Sequence, residues 1–405
     1  MLSQAVILCG GLGTRLGELT ATTPKPLLPV AGAPFLDILI QEAARFGFTD
    51  ILLLAGRFGE QIAGRYNGRD MYGARVRVLI EPAPLGTGGA LRFAAAELAS
   101  AFLLMNGDSW IEADLTRFAA AWAGNGGALA AQMLLQRVPD AGRFGAVESS
   151  GGRVLAFREK DAASSGRPGL INAGVYVVSR EIVAGISADK TPSLETDILP
   201  PLVAAGRVGA VEAVEGSYFV DIGVPESYAR AQTELPAVRT RPALFLDRDG
   251  TLNEDMGYTS RIEDLHWTPE AREAIALANG AGYYVFVVTN QAGVARGLYP
   301  ESAILEFHRA MQADLFAIGA HIDAIEWCPH HIEGTVERYA KACPRRKPGG
   351  GMLADLIAAW PVDVSRSLLI GDSPHDVAAA EAVGVRGLRY EGGSLLELLR
   401  QEIES

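Results

Sequence analysis

Ala5-Val-Ile-Leu-Cys-Gly-Gly-Leu-Gly-Thr-Arg15 is an apolar run that stops on glycine and opens into a glycine-rich turn. It predicts a buried strand feeding a loop whose consecutive backbone N–H groups can surround phosphate oxygens. The competing reading is a strand-to-helix turn that needs glycine only for its backbone angles. Runs of the same kind recur at Ile51–Ala55, Val76–Ile80 and Phe102–Met105, with Ala-rich helical stretches between several of them. That alternation predicts a mainly parallel α/β sheet.

The 405 residues suit two or three domains. With 49% hydrophobic and 21% charged residues the composition is that of a globular chain, which excludes disorder as the main theme. A net charge of −12 disfavours nucleic-acid and anionic-membrane partners and leaves small anions to local basic pockets. Three cysteines, Cys9, Cys328 and Cys343, cannot build a disulfide framework and fit a reducing cytoplasm. The first apolar run ends at Gly10-Gly11 and reads as a strand rather than a signal peptide, and no stretch is apolar for long enough to span a membrane. A cytoplasmic, soluble protein is expected, and its oligomeric state is not legible. After the helix-like Pro225–Leu235, the proline-bracketed stretch 236–242 marks a linker between a first domain, 1–235, and a second, 243–405.

Thr23-Pro-Lys-Pro-Leu-Leu-Pro29 holds Lys25 between two prolines on a stiff segment close after the loop, which suits phosphate neutralisation. Glu81-Pro-Ala-Pro-Leu-Gly-Thr-Gly-Gly89 adds a second glycine loop, with Gly86, Thr87 and Gly88 opening a helix and expected to bind the nucleotide. Asp108, in Leu103-Leu-Met-Asn-Gly-Asp108, ends a buried strand, where open α/β sheets bind ligands. Asp221, in Phe219-Val-Asp-Ile-Gly223, is a second strand-borne carboxylate, and the two together suit Mg²⁺. For either aspartate alone, a turn or helix cap is the competing reading.

With FREK, NAGVYV and YFVDIGVPESY following in order, residues 1–235 resemble the sugar-1-phosphate nucleotidyltransferases. The resemblance implies that Gly10, Gly11, Gly13 and Thr14 cradle the nucleotide, while Arg15 and Lys25 stabilise phosphate charge. It also implies Mg²⁺ on Asp108 and Asp221, and a sugar-phosphate pocket lined by Gly145, Glu159, Lys160, Asn172 and Gly174. A sugar 1-phosphate oxygen would attack the α-phosphorus of a nucleoside triphosphate and expel pyrophosphate. The attacking phosphate is already anionic, so positioning and charge neutralisation suffice. Glu81 stands where thymidylyl members of the family carry glutamine. A carboxylate there can accept from guanine N1–H and N2–H₂, which favours GTP; the competing reading is a solvent-facing salt bridge.

In the second half, Phe245-Leu-Asp-Arg-Asp-Gly-Thr-Leu252 places Asp247 and Asp249 two residues apart at the end of an apolar strand, on one side if the backbone stays extended. Such a pair repels unless a cation joins it. A nucleophile and an acid/base bridged by Mg²⁺ explain it better than a cap. Strands are expected at Ala243–Leu246, Tyr284–Thr289 and Ser367–Gly371, with helices near Pro269–Ala281, Pro300–Ile318 and Gly351–Ala359.

With Val287-Val-Thr-Asn290, Arg346-Lys347-Pro348 and Leu369-Ile-Gly-Asp-Ser-Pro-His-Asp376, this half resembles the haloacid dehalogenase superfamily of phosphatases. The resemblance implies a Rossmann-like fold, Asp247 as nucleophile and Asp249 as acid, then base. Thr289 and Lys347 would hold the phosphoryl oxygens, and Asp372 would complete a Mg²⁺ site with Asp247 and Asp249. Asp376 is read as an outer carboxylate or a helix cap. The short span from Asp249 to Thr289 leaves no room for a cap domain. Loops would then recognise substrate, through Asn290, Arg296 and Arg346.

TNQAGVARG and the segment Cys328–Lys347 narrow the resemblance to heptose-bisphosphate and histidinol-phosphate phosphatases. Their zinc loop is matched by Cys328, His330 and Cys343, but Arg345 occupies the fourth ligand position and cannot coordinate, so an empty loop is expected. His331 reads as a surface residue. The fusion itself suggests one route: loss of the 7-phosphate from a heptose 1,7-bisphosphate, then guanylyl transfer to the heptose 1-phosphate to give GDP-heptose. The competing readings are another sugar joined to a histidinol-phosphate phosphatase, and a non-catalytic sugar-nucleotide sensor.

Overall fold

The computed structural model describes residues 2–11, 13–142, 146–157, 166–187 and 191–404. The chain divides into two compact units, Met1–Pro236 and Ala237–Ser405. The helix that begins at Pro225 extends to Arg239, past Pro236, so the stretch 236–242 is helical over its first four residues. Among the described residues no helix is long and apolar enough to cross a membrane.

In the N-terminal unit the opening run becomes the strand Gln4–Cys9, which pairs in parallel with Asp50–Ala55 on one side and Ala101–Asn106 on the other. Ala74–Ile80 extends this parallel group. Unbroken apolar runs suit strands buried on both faces, and Val6, Leu52, Leu54 and Phe102 are fully enclosed. The sheet is mixed, not parallel throughout: Gly169–Ser179 runs antiparallel to Ala101–Asn106 and to Ala131–Val138. Because the first group is parallel, its C-terminal ends deliver Gly10, Glu81 and Asp108 to one edge. A small ladder between Ser109–Ile111 and Phe219–Asp221 sets Asp221 opposite Ser109 and so beside Asp108.

The C-terminal unit is a five-stranded parallel sheet in the order Ala324–Cys328, Tyr284–Asn290, Ala243–Leu246, Leu368–Gly371, Arg386–Arg389. The chain reverses direction across the sheet between its third and fourth strands, Ala243–Leu246 and Leu368–Gly371. That switch point opens a crevice at their C-terminal ends. The helices Ala271–Gly280, Glu301–Ala317 and Gly351–Ala359 lie where the sequence predicts them, within two residues at each end. Between Asp249 and Thr289 there is one short turn, Ile262–Asp264, and one helix, with no inserted domain.

Candidate active sites

At the edge of the N-terminal sheet, Lys25 Nζ lies 2.5 Å from Asp108 Oδ2 and 3.7 Å from Asp221 Oδ1. The lysine is buried in the turn Lys25–Leu27, with Pro24 extended before it. Burial and then the Asp108 charge raise the Asp221 carboxyl above its ordinary range, against the pull of Lys25 and Arg15. Two carboxylates facing one ammonium leave an excess negative charge on hard oxygen donors, which is the donor set that suits Mg²⁺. Gly11, Thr14 and Arg15 are exposed on the glycine turn, and Gly13 sits at φ 63° with its carbonyl accepting from Thr20.

Glu81 Oε1 stands 2.9 Å from where a Cβ on Gly10 would be, so the carboxylate faces the glycine turn. Burial raises its pKa, opposed by the Leu85 N–H that donates to Oε2 at 3.2 Å. The second glycine loop spends its contacts on the fold. Gly88 N donates to Pro192 O, and Thr87 Oγ1 accepts from Leu194 N at 2.7 Å, while Gly86 backs onto the Thr191 carbonyl. A break in register with Ala131–Val138 runs between Asn172 and Tyr176, with Gly174 inside it. The Asn172 amide donates to Tyr176 Oη and to Glu195 Oε1, and its oxygen accepts from Gly174 N. Gly145, Glu159 and Lys160 lie outside the described residues.

In the C-terminal crevice, Lys347 Nζ is 2.7 Å from Asp247 Oδ1 and 2.6 Å from Asp376 Oδ1, and it is 3% exposed. Asp247, Asp372 and Asp376 bring carboxylate oxygens within 4.8 Å of one another. Gly250, at φ 83°, makes this possible: a Cβ there would stand 2.2 Å from Asp372 Oδ2. Burial pushes the Asp247 carboxyl up to about 7 although Lys347 opposes it, and burial raises Asp372 as well. Three carboxylates against one ammonium again suit a hard divalent cation. Asp376 is a helix cap, its Oδ2 accepting from Ser373 N in a capping box, and its Oδ1 meets Lys347.

The Asp249 carboxylate lies outside that trio. It accepts from Arg248 Nε at 2.9 Å, Arg248 Nη2 at 2.7 Å, Asn253 Nδ2 at 3.1 Å and Gln291 Nε2 at 2.9 Å. Asp247, Asp249, Thr289, Arg296, Arg346 and Lys347 nevertheless line one pocket of about 370 Å³. Burial and the nearby Arg296 charge lower the Arg346 guanidinium pKa. Asn290 is tied to the Lys347 backbone by reciprocal 3.0 Å bonds, so it fixes the segment that carries the lysine. His331, expected on the surface, is half-buried on the wall of this pocket.

Cys328, His330 and Cys343 converge within 4.8 Å. Arg345 is turned instead toward Glu326 and Asp355, with Nε 3.2 Å from Asp355 Oδ2. Among the described residues this group brings three ligand atoms together, where a closed structural zinc site takes four.

A nucleotidyl transferase family model matches residues 4–237. The chain belongs to the nucleotidyl transferase family. It is 33% identical over 256 residues to the mannose-1-phosphate guanylyltransferase of Mycobacterium tuberculosis, covering 61% of this chain and 70% of that protein. The nucleotidyltransferase unit also resembles the crystal structure of HddC from Yersinia pseudotuberculosis complexed with GMP-PN. The TM-score is 0.50 at 32% identity, over 58% of this chain and 100% of that one. A HAD-hydrolase-like model matches residues 344–401. The chain is 50% identical over 161 residues to the D-glycero-beta-D-manno-heptose-1,7-bisphosphate 7-phosphatase of Rhodopseudomonas palustris, 40% of this chain and 89% of that protein. The C-terminal half is therefore a haloacid dehalogenase-like phosphatase, and the chain is an enzyme twice over. Both families generally use Mg²⁺.

Sequence reasoning passed over three residues of these sites. In the nucleotidyltransferase unit Glu195 accepts from Tyr176 and Asn172, and its Ser-Leu-Glu-Thr-Asp context reads as a helix start, with Ser193 as the cap. In the phosphatase unit Arg248 is wholly buried, forked onto Asp249 and stacked 4.6 Å over Phe307. Gln291 is the third. A buried arginine beside two aspartates is a signal the sequence does carry, because such a charge must be paired.

Proposed function

We propose that this chain makes a GDP-heptose in two steps. The phosphatase removes the 7-phosphate of D-glycero-D-manno-heptose 1,7-bisphosphate, and the nucleotidyltransferase moves GMP from GTP onto the heptose 1-phosphate, releasing pyrophosphate. The observation that carries this reading is that Asp247 and two cations, Arg296, ion-paired with the exposed Glu333, and Arg346, line one pocket. A substrate with a phosphate at each end satisfies both.

Asp247 attacks phosphorus to form an aspartyl-phosphate, and Asp249 protonates the leaving alcohol and then activates water. Thr289 and Lys347 hold the transferring oxygens, and Asn290 keeps the Lys347 segment in place. Asp247 and Asp372, with Asp249 beside them, and Asp108 with Asp221 would hold Mg²⁺, which would supply positive charge to the phosphate oxygens. In the nucleotidyltransferase, Gly10, Gly11, Gly13 and Thr14 surround the nucleotide phosphates, while Arg15 and Lys25 offset their charge. Asn172 and Gly174 belong to the sugar side. The free Cys9, Cys328 and Cys343 support a reducing, cytoplasmic setting.

Glu81 reads the base. A screen of nucleoside triphosphates by pyrophosphate release should rank GTP first, and Glu81→Gln should cost GTP about 1–3 kcal/mol of its advantage. The carboxylate must be ionised to accept from guanine. Because burial raises its pKa, the GTP preference should fade on acidification at a higher pH than an exposed glutamate would allow. Equal use of GTP and UTP by the unaltered protein would sink the assignment.

Zinc is left out of this reading, since Arg345 is committed to Glu326 and Asp355. Elemental analysis of the purified protein should find far less than one zinc per chain, and Arg345→Cys should raise it. Stoichiometric zinc in the unaltered protein would require another ligand.

A further inference from the structure

Gln291 is 1% exposed and sits one residue past the strand Tyr284–Asn290. Its amide nitrogen donates to Asp249 Oδ2 and to Thr289 Oγ1, each at 2.9 Å. Its oxygen accepts from the Tyr299 hydroxyl, also at 2.9 Å. Every polar atom of this buried side chain is thus used, and each partner fixes what the others do. An amide flipped by 180° would aim its oxygen at the Asp249 carboxylate, which can only accept, so Asp249 sets which end of the amide faces the crevice. Tyr299 braces the far end by donating to the amide oxygen. Burial pushes the Tyr299 phenol up to about 12, so it remains a donor near neutral pH. The ring reaches this position only because residue 293 is glycine: a Cβ there would lie 2.3 Å from Tyr299 Cε1.

Resting on the phosphatase reading above, we infer that Gln291, braced by Tyr299, is a positioning residue that orients both the acid/base Asp249 and the phosphoryl-binding Thr289 from one amide nitrogen. Two consequences follow from hydrogen-bond directions. With an Oγ1 lone pair occupied by the Gln291 N–H, the Thr289 hydroxyl proton is free to point at a phosphoryl oxygen. With Oδ2 of Asp249 held by Gln291 and Arg248, the carboxyl plane is fixed relative to the strand end that carries Asp247. Loss of the amide leaves Asp249 on Arg248 and Asn253 alone, so that Oδ2 loses the donor on its Thr289 side and the Thr289 hydroxyl loses its partner, while substrate charge contacts at Arg296, Arg346 and Lys347 stay in place. The expected signature is in turnover rather than in substrate affinity.

Gln291→Met keeps the side-chain length and removes both N–H bonds; Tyr299→Phe removes only the hydrogen bond that braces the amide oxygen. On the heptose bisphosphate, Gln291→Met should lower kcat by about 100-fold, with KM within about threefold. Tyr299→Phe should give a smaller fall, about 3- to 10-fold, of the same kind. A second readout separates orientation of the acid from a general loosening. Protonation of the leaving oxygen matters for an alkyl phosphate and hardly at all for p-nitrophenyl phosphate, whose leaving group is stable as the anion. In Gln291→Met, kcat/KM should therefore fall at least about tenfold further on the bisphosphate than on p-nitrophenyl phosphate. Circular dichroism and thermal unfolding of the same preparation report whether the phosphatase unit is folded. Unchanged kcat in both variants, a loss confined to KM, or equal losses on the two substrates would overturn the inference. Asp247→Asn is measured alongside. If that variant keeps phosphatase turnover, the phosphatase reading has failed; if it is inactive while Gln291→Met and Tyr299→Phe turn over normally, only the role given to Gln291 has.

Discussion

Asp247→Asn is expected to abolish phosphate release, by about 10⁴-fold or more, while nucleotidyl transfer by the same protein stays within about twofold. The amide oxygen is a poor nucleophile, and the substitution also removes the charge that Lys347 holds at 2.7 Å. Lys347 would still have Asp376 at 2.6 Å, so the buried ammonium is not orphaned and the fold should survive. Asp108→Asn should do the reverse. It weakens the carboxylate pair around Lys25 and should lower pyrophosphate release by about 100-fold or more, with phosphatase turnover retained. Phosphate and pyrophosphate assays on the two variants, with circular dichroism as a folding control, decide the matter. Loss of both activities in either well-folded variant would end the account of two independent sites.

Much of this was legible in the chain. Short unbroken apolar runs ending on glycine or aspartate, such as those at 5–9 and 243–246, read as strands buried on both faces. Their C-terminal ends then carry ligands in any open α/β sheet. Hence Asp108, Asp247 and Asp372 could be placed before their contacts were seen. The mixed character of the first sheet was not legible, because an antiparallel strand such as Gly169–Ser179 is as buried and apolar as a parallel one. Long-range side-chain partnerships were hidden as well. Nothing local says that Arg345 turns to Glu326 and Asp355, that Thr87 is spent on Leu194, or that Gln291 meets Asp249 across 42 positions. Asp376 shows the limit most plainly: its cap position could be read from Ser373-Pro-His-Asp376, its bond to Lys347 could not.

Substrate identity has the second large effect. Arg296 and Arg346 share the pocket with Asp247, and Arg296 and burial both depress the Arg346 guanidinium. An anion at that end relieves the repulsion and pairs a half-buried charge, while a neutral or cationic end leaves it unpaired at a cost of about 2–5 kcal/mol. The 1-phosphate of a heptose bisphosphate supplies that anion; histidinol phosphate brings an ammonium and an imidazole instead. The expected preference in kcat/KM for the bisphosphate is at least about 100-fold. Arg346→Ala should erase most of it by raising KM for the bisphosphate alone.

The central claim is that both activities act in sequence on one sugar, and a single reaction tests it. The purified chain is given D-glycero-D-manno-heptose 1,7-bisphosphate, GTP and Mg²⁺ and followed by phosphorus NMR, with histidinol phosphate hydrolysis measured in parallel. The account expects phosphate and pyrophosphate to appear in equal amounts with GDP-heptose, and histidinol phosphate to be hydrolysed at least about 100-fold less efficiently. Phosphate release with no sugar nucleotide formed, or histidinol phosphate hydrolysed as well as the bisphosphate, would contradict it.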